Sequence, residues 1–89
     1  MTHEISFVVK LETDSGLIDL SKTVKVSGFD DNGFQAEKIG ASEYARLLEK
    51  AYRIKNDGFY EEFNNGKANK TTFSTCEIIR EIPTITEVK

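Results

Sequence analysis

Ile5, Phe7, Val9 and Leu11 alternate with Ser6, Val8, Lys10 and Glu12, the period-two signature of a strand with one buried face. The alternation predicts a strand over 4–12. Thr13-Asp14-Ser15-Gly16 follows; an Asp there can bond its own turn backbone and a Gly can take positive φ, so the chain reverses as a hairpin. Beyond the turn, Ile18, Leu20, Val24 and Val26 hold one parity while Asp19, Ser21, Thr23 and Lys25 hold the other. Lys22 falls on the apolar parity, which predicts a bulge, a bend or a frayed edge in the middle of this second strand. Gly28 to Gly33 form the next turn cluster, with Asn32-Gly33 a strong hairpin signal, and a third, weaker strand is predicted over 34–39.

The period then changes. Tyr44, Leu47, Leu48, Ala51 and Ile54 share one stripe of a helical wheel, with Arg46, Lys50 and Arg53 on the opposite side. Ser42 is the expected cap, Glu43 suits the first turn, and Asn56-Asp57-Gly58 is the expected end, with Gly58 as the left-handed residue. Past the helix, the four-residue spacing of Phe59 and Phe63 fits a short helical turn. Residues 64–70 are polar and turn-rich and are read as a mobile loop. Segment 71–82 carries two signals. Ser74 and Glu77 fit a capping box, but β-branched residues dominate, so a strand is chosen, broken or bent by Pro83 and placed near an edge. Together these elements predict one α+β domain spanning 1–89: a small antiparallel sheet of about four strands, in the order ββ(β)αβ(β), with one amphipathic helix on one face.

Composition narrows the function classes. The chain has 89 residues, one Cys, one His, no Trp, three Tyr and six Phe, which suits one small core and excludes a disulfide-stapled miniprotein. No apolar run approaches the roughly 20 residues that a membrane-spanning helix needs. Met1-Thr2-His3-Glu4 has no signal-peptide character, so the expected location is the cytoplasm of the producing or host cell. Chemistry finds little material. His3 lies near the amino terminus and reads as a solvated or edge-strand residue, and Cys76 as a small buried hydrophobe with no base beside it in sequence. One Cys and one His cannot build a zinc site. Asp30-Asp31-Asn32-Gly33 is oxygen-rich, but its spacing departs from a calcium loop and it reads as a turn. The glycines are scattered, with no phosphate-cradling loop between a strand and a helix. No metal and no cofactor is expected, and the chain is read as a noncatalytic protein.

Charge is more informative in its distribution than in its total of −3. Residues 28–43 sum to −3, 44–56 to +3, 57–66 to −3 and 67–80 to +2. The acidic blocks also hold aromatics: Phe29 and Phe34 flank Asp30 and Asp31, while Phe59, Tyr60 and Phe63 interleave with Asp57, Glu61 and Glu62. Aromatic anchors within a charged rim suit an interface. The plainer reading is that the aromatics fill the core and the carboxylates keep loops soluble. The favoured expectation is a small interaction module whose surface at Asp30, Asp31, Asp57, Phe59, Tyr60, Glu61 and Glu62 docks on a larger protein with a basic, nucleic-acid-binding site. Carboxylates there would stand in for phosphates. Small acidic nuclease inhibitors and phage-encoded antagonists of host or defence proteins are similar in size and kind, a likeness of class rather than of sequence. Two alternatives stand beside it: weak nucleic-acid binding through Arg46, Lys50 and Arg53, and a small structural or assembly subunit that pairs through a strand edge.

Overall fold

The computed structural model describes residues 2–27 and 34–88. The alternation at the start of the chain becomes β1 (Thr2–Thr13), whose residues Ile5, Phe7, Val9 and Leu11 are buried, with His3 on the same side. Asp14 and Ser15 turn the chain into β2 (Gly16–Asp19), which pairs antiparallel with the end of β1 from Thr13↔Gly16 to Lys10↔Asp19. β3 (Lys22–Ser27) continues along the same edge, from Phe7↔Lys22 to Thr2↔Ser27. The two pairings keep one register, so β2 and β3 are a single line of chain interrupted at Leu20 and Ser21.

Local hydrogen bonds explain the interruption. The Ser21 amide donates to Asp19 Oδ1 at 2.9 Å, drawing the backbone into a tight side-chain-closed turn. The Leu20 amide still donates to the Val9 carbonyl at 2.8 Å, but the Val9 amide donates to Ser21 Oγ at 3.3 Å, so a hydroxyl takes up that ladder position. The irregularity expected near Lys22 thus falls at Leu20 and Ser21, and the continuous register shows that it is not a bulge. Lys22 itself lies on the core-side parity opposite Phe7 and reaches Glu43 of the helix, Nζ to Oε2 3.4 Å.

The other edge of β1 is covered along its whole length by β6 (Cys76–Val88), also antiparallel. Register runs from Thr13↔Cys76 to Val8↔Glu81 and resumes at Ser6↔Thr84, leaving Ile82 and Pro83 to oppose Phe7. That is a bulge. Pro83 has no amide to give a ladder, and a bulge in an outer strand is where a sheet tolerates one. β1 is thus central, flanked by β2–β3 on one side and β6 on the other.

One face of this sheet carries α1 (Phe34–Asp57), which packs across β1 and β6. Ala51 and Ile54 are buried as the apolar stripe requires, and Tyr44, Leu47 and Leu48 pack against the core. Tyr44 meets Phe7 edge-on, with ring centroids 5.7 Å apart. Ile18, Leu20, Ala36 and Phe73 complete the core. The helix starts earlier than its expected cap at Ser42, and 34–39 is its first turns rather than a strand. Small residues explain this: Ala36 and Gly40 continue the Tyr44 stripe upward at four-residue steps, and both are buried. A Cβ on Gly40 would lie 2.8 Å from Ile5 Cγ2, so glycine permits the helix to touch the sheet there.

After α1 the chain forms β4 (Phe59–Asn64) and β5 (Lys67–Thr72), an antiparallel hairpin that makes a second, two-stranded sheet. Phe59 to Phe63 are therefore strand and not a helical turn, and 64–70 is a tight turn plus paired strand rather than a loop. Segment 71–82 is the end of β5, a short connection and the first half of β6, with no helix. The fold is α+β, one helix on a four-stranded antiparallel sheet with a separate hairpin, among the described residues.

Asp14 ties the two sheets together. Its carboxylate accepts from the amides of Ser74 at 2.9 Å and Thr75 at 3.1 Å, while Ser15 Oγ donates to the Thr72 carbonyl at 2.6 Å. The radius of gyration is 15.4 Å, against roughly 12 Å for a compact chain of this length. The long strands and the hairpin stretch the molecule to 46 × 28 × 17 Å.

Candidate functional site

The acidic, aromatic segment at 57–63 is the first strand of the hairpin arm. Gly58 sets its direction: at φ +76° its amide donates to the Ile54 carbonyl at 3.0 Å, ending the helix with a left-handed cap as expected. The Gly58 carbonyl then accepts from the Phe73 amide at 3.0 Å, closing the base of the arm. At the far end Asn65 (φ +52°) and Gly66 (φ +77°) supply the two positive-φ positions of a two-residue hairpin turn.

Strand alternation decides which side chains share a face. Phe59, Glu61 and Phe63 lie with Ala68, Lys70 and Thr72 on one side, and Tyr60, Glu62 and Asn64 with Lys67, Asn69 and Thr71 on the other. Tyr60 packs against the core, and Lys50 Nζ sits 5.8 Å from its ring centre. Partial burial, reinforced by the Glu62 charge, pushes the Tyr60 phenol above its ordinary range. Lys70 Nζ stands 4.4 Å from the centre of the Phe59 ring, a cation–π contact. Phe63 is 78% exposed.

The three carboxylates of this segment are exposed but not clustered. Asp57 ends the helix, and Glu61 and Glu62 point to opposite faces of the arm, Glu61 directly opposite Lys70 and Glu62 opposite Asn69. Acid and aromatic groups are thus concentrated on β4, and lysines on β5. Asp30 and Asp31 lie outside the described residues.

Arg46, Lys50 and Arg53 do line one exposed side of α1, around a shallow depression of about 240 Å³ that also touches Leu47 and Glu49. Each arginine has an acidic neighbour: Arg46 Nη1 is 3.8 Å from Glu43 Oε1, and Arg53 Nη2 is 3.7 Å from Glu49 Oε1.

Nucleophilic chemistry gains no geometry from the fold. Cys76 is opposite Thr13 and His3 is ten positions further along β1, about 33 Å at the usual strand rise. Burial pushes the Cys76 thiol upward, opposed in part by the charge of Lys55. Among the described residues no group of three or more His, Cys, Asp or Glu side chains is placed to hold a metal ion. No helix among them is long and apolar enough to cross a membrane.

Two features escaped the sequence reading. The hairpin itself had a signal, Asn65-Gly66 between an aromatic-acidic run (59–63) and a polar run ending in two threonines (67–72), which the polarity of 64–70 masked. The second is the set of exposed aliphatics on β6, Ile79, Ile82, Ile85 and Val88, hidden because the bulge shifts their parity. No family model, no curated protein and no solved structure matches this chain.

Proposed function

We propose that this chain is a small noncatalytic protein-interaction module that inhibits or regulates a larger partner by docking the β4 side of its hairpin arm on a basic, nucleic-acid-binding site. The carrying observation is Phe63, an aromatic side chain 78% exposed on a strand that also bears Glu61 and Glu62 and follows Asp57. A large exposed aromatic on a projecting hairpin adds nothing to the core, whereas in an interface it supplies an anchor. The neighbouring carboxylates supply steering toward cations and exclude anionic competitors. Direct nucleic-acid binding by the helix face is the weaker reading, since Glu43 and Glu49 partly neutralise Arg46 and Arg53.

Charge reversal of Asp57, Glu61 and Glu62 to Lys, combined with Phe63→Ser, tests the proposal by co-purification and by affinity for the captured partner. Loss of binding that is most marked at low salt is expected, and unchanged affinity overturns the surface. A parallel titration with duplex and single-stranded oligonucleotides at about 50 mM salt should give no binding. A steep salt slope abolished by Arg46→Ala and Arg53→Ala would instead support the helix face.

A further inference from the structure

The sheet has two outer edges, and they differ in kind. Along β2–β3 the edge is short, interrupted at Leu20 and Ser21, and carries Lys22 and Lys25. These are devices that stop a strand edge from recruiting another strand. β6 is 13 residues long, carries Arg80 as its one basic residue within Cys76–Val88, on the helix side opposite Val9, and pairs only with β1 among the described residues. Neither strand of the hairpin arm approaches it. Before the Ile82–Pro83 bulge it offers an uninterrupted stretch, Cys76–Glu81.

We propose that this stretch of the β6 edge accepts an extended segment of a partner protein, added as a further strand, whose side chains on the helix-free face alternate basic and aliphatic. Backbone amides and carbonyls along an outer edge supply the affinity in such additions, and side chains supply the selection. On the helix-free face the sequence reads Glu77, Ile79, Glu81, fixed there by their partners Glu12, Lys10 and Val8 on β1. Ile79 is 39% exposed, and Ile82 just beyond it is 78% exposed. Glu77 lies directly opposite Glu12, a like-charge pair beside a depression of about 340 Å³ that Asp14 also lines. Like charges in that position destabilise a sheet, and a cation on an added strand would relieve the pair. Lys10, between Glu77 and Glu81, faces Asp19 on its other side.

The same charges disfavour a second copy of this chain. An antiparallel two-fold pairing centred on Ile79 would set Glu77 of each copy against Glu81 of the other, repulsive at both ends. β6 is a different strand from those of the arm, and substitutions at Glu77 and Glu81 leave the arm intact.

The probe is a short acetylated, amidated peptide with Lys, Val and Lys at every second position and Thr between them, so that one face of the strand alternates basic and aliphatic; its binding is followed by backbone NMR and calorimetry on the full chain. Shifts and slowed exchange are expected at amides within Cys76–Glu81. Methylating alternate peptide amides should abolish binding, and Glu77→Lys with Glu81→Lys should weaken it about tenfold or more. Equal binding by the methylated peptide would reduce the effect to charge attraction and overturn the proposal. So would shifts confined to the arm, or a sedimentation equilibrium in which the free chain dimerises with protection at β6.

Discussion

Phe63 and Phe73 stand ten positions apart on the two sides of the arm's turn, and the fold treats them oppositely. Phe73, at the exit of the hairpin, is 8% exposed and joins the core beneath α1. Phe63, near the tip, is 78% exposed and faces Ala68 across the hairpin. The body is organised by what it buries: β1 places every second side chain under the helix or against β2. The arm is organised by its turn and its backbone ladder, and apart from its root at Phe59 and Tyr60 it buries almost nothing. Side chains on the arm are therefore free of packing duty, and that freedom makes an exposed aromatic there informative about binding.

The largest expected effect lies in the body, where the arm is rooted. Phe73→Ala removes a buried ring and leaves a cavity at the junction of the arm with the core, which costs about 3–5 kcal/mol. Urea unfolding followed by circular dichroism measures it. The loss should also release the arm, so amides of β4 and β5 should exchange faster in this variant. A cost below about 1 kcal/mol would mean that the arm's root packs independently of Phe73.

The body and the arm also differ in how plainly the sequence announces them. β1 is readable because burial on one face imposes strict alternation, and the Leu47–Ile54 stripe because burial imposes the helical period. The first turns of α1 were hidden by chemistry that works by omission: Ala36 and Gly40 are buried because they are small, and glycine ordinarily signals a turn. β4 has no alternation to read, since both of its faces are mostly solvated. β6 sends mixed signals because the Pro83 bulge exchanges the faces of Ile79 and Ile85. For the candidate site, residues 57–63 could be singled out from charge and aromatic content. Their arrangement could not, because the four-residue spacing of Phe59 and Phe63 puts both rings on one side of a helix or of a strand alike, and only the strand sets Glu61 and Glu62 on opposite faces.

A smaller effect sharpens the boundary between the two regions. Asp14 fastens the β1–β2 turn to the connection leaving the arm, and hydrogen bonds from the Thr75 and then the Ser74 amide hold its carboxyl below the ordinary value of 3.8. A depressed carboxyl contributes stability that is fully present above its unfolded value and is lost as pH falls through the folded one. Asp14→Asn should therefore lower stability by a constant amount near neutral pH. The gap between variant and native chain should close progressively below about pH 3.8. Unfolding measured from neutral pH into the acid range tests this, and a gap that persists unchanged at the acid end would assign the effect to packing rather than to charge.

The smallest effect on stability is the one that matters most for function. Phe63→Ser replaces a side chain that the fold leaves in water, at a position where the backbone ladder with Ala68 is kept. Its cost should fall within about 0.5 kcal/mol, the usual range for a surface substitution without special contacts. If the ring is instead an anchor, the same change should remove most of the affinity for a partner captured by the native chain, because a central aromatic commonly accounts for 2 kcal/mol or more, about thirtyfold in affinity. Stability and binding thus separate at Phe63 and should coincide at Phe73, where losing the ring disables both. A Phe63→Ser protein that unfolds as readily as Phe73→Ala would give the ring a structural duty. One that keeps both its stability and its partner would move the binding surface off the arm.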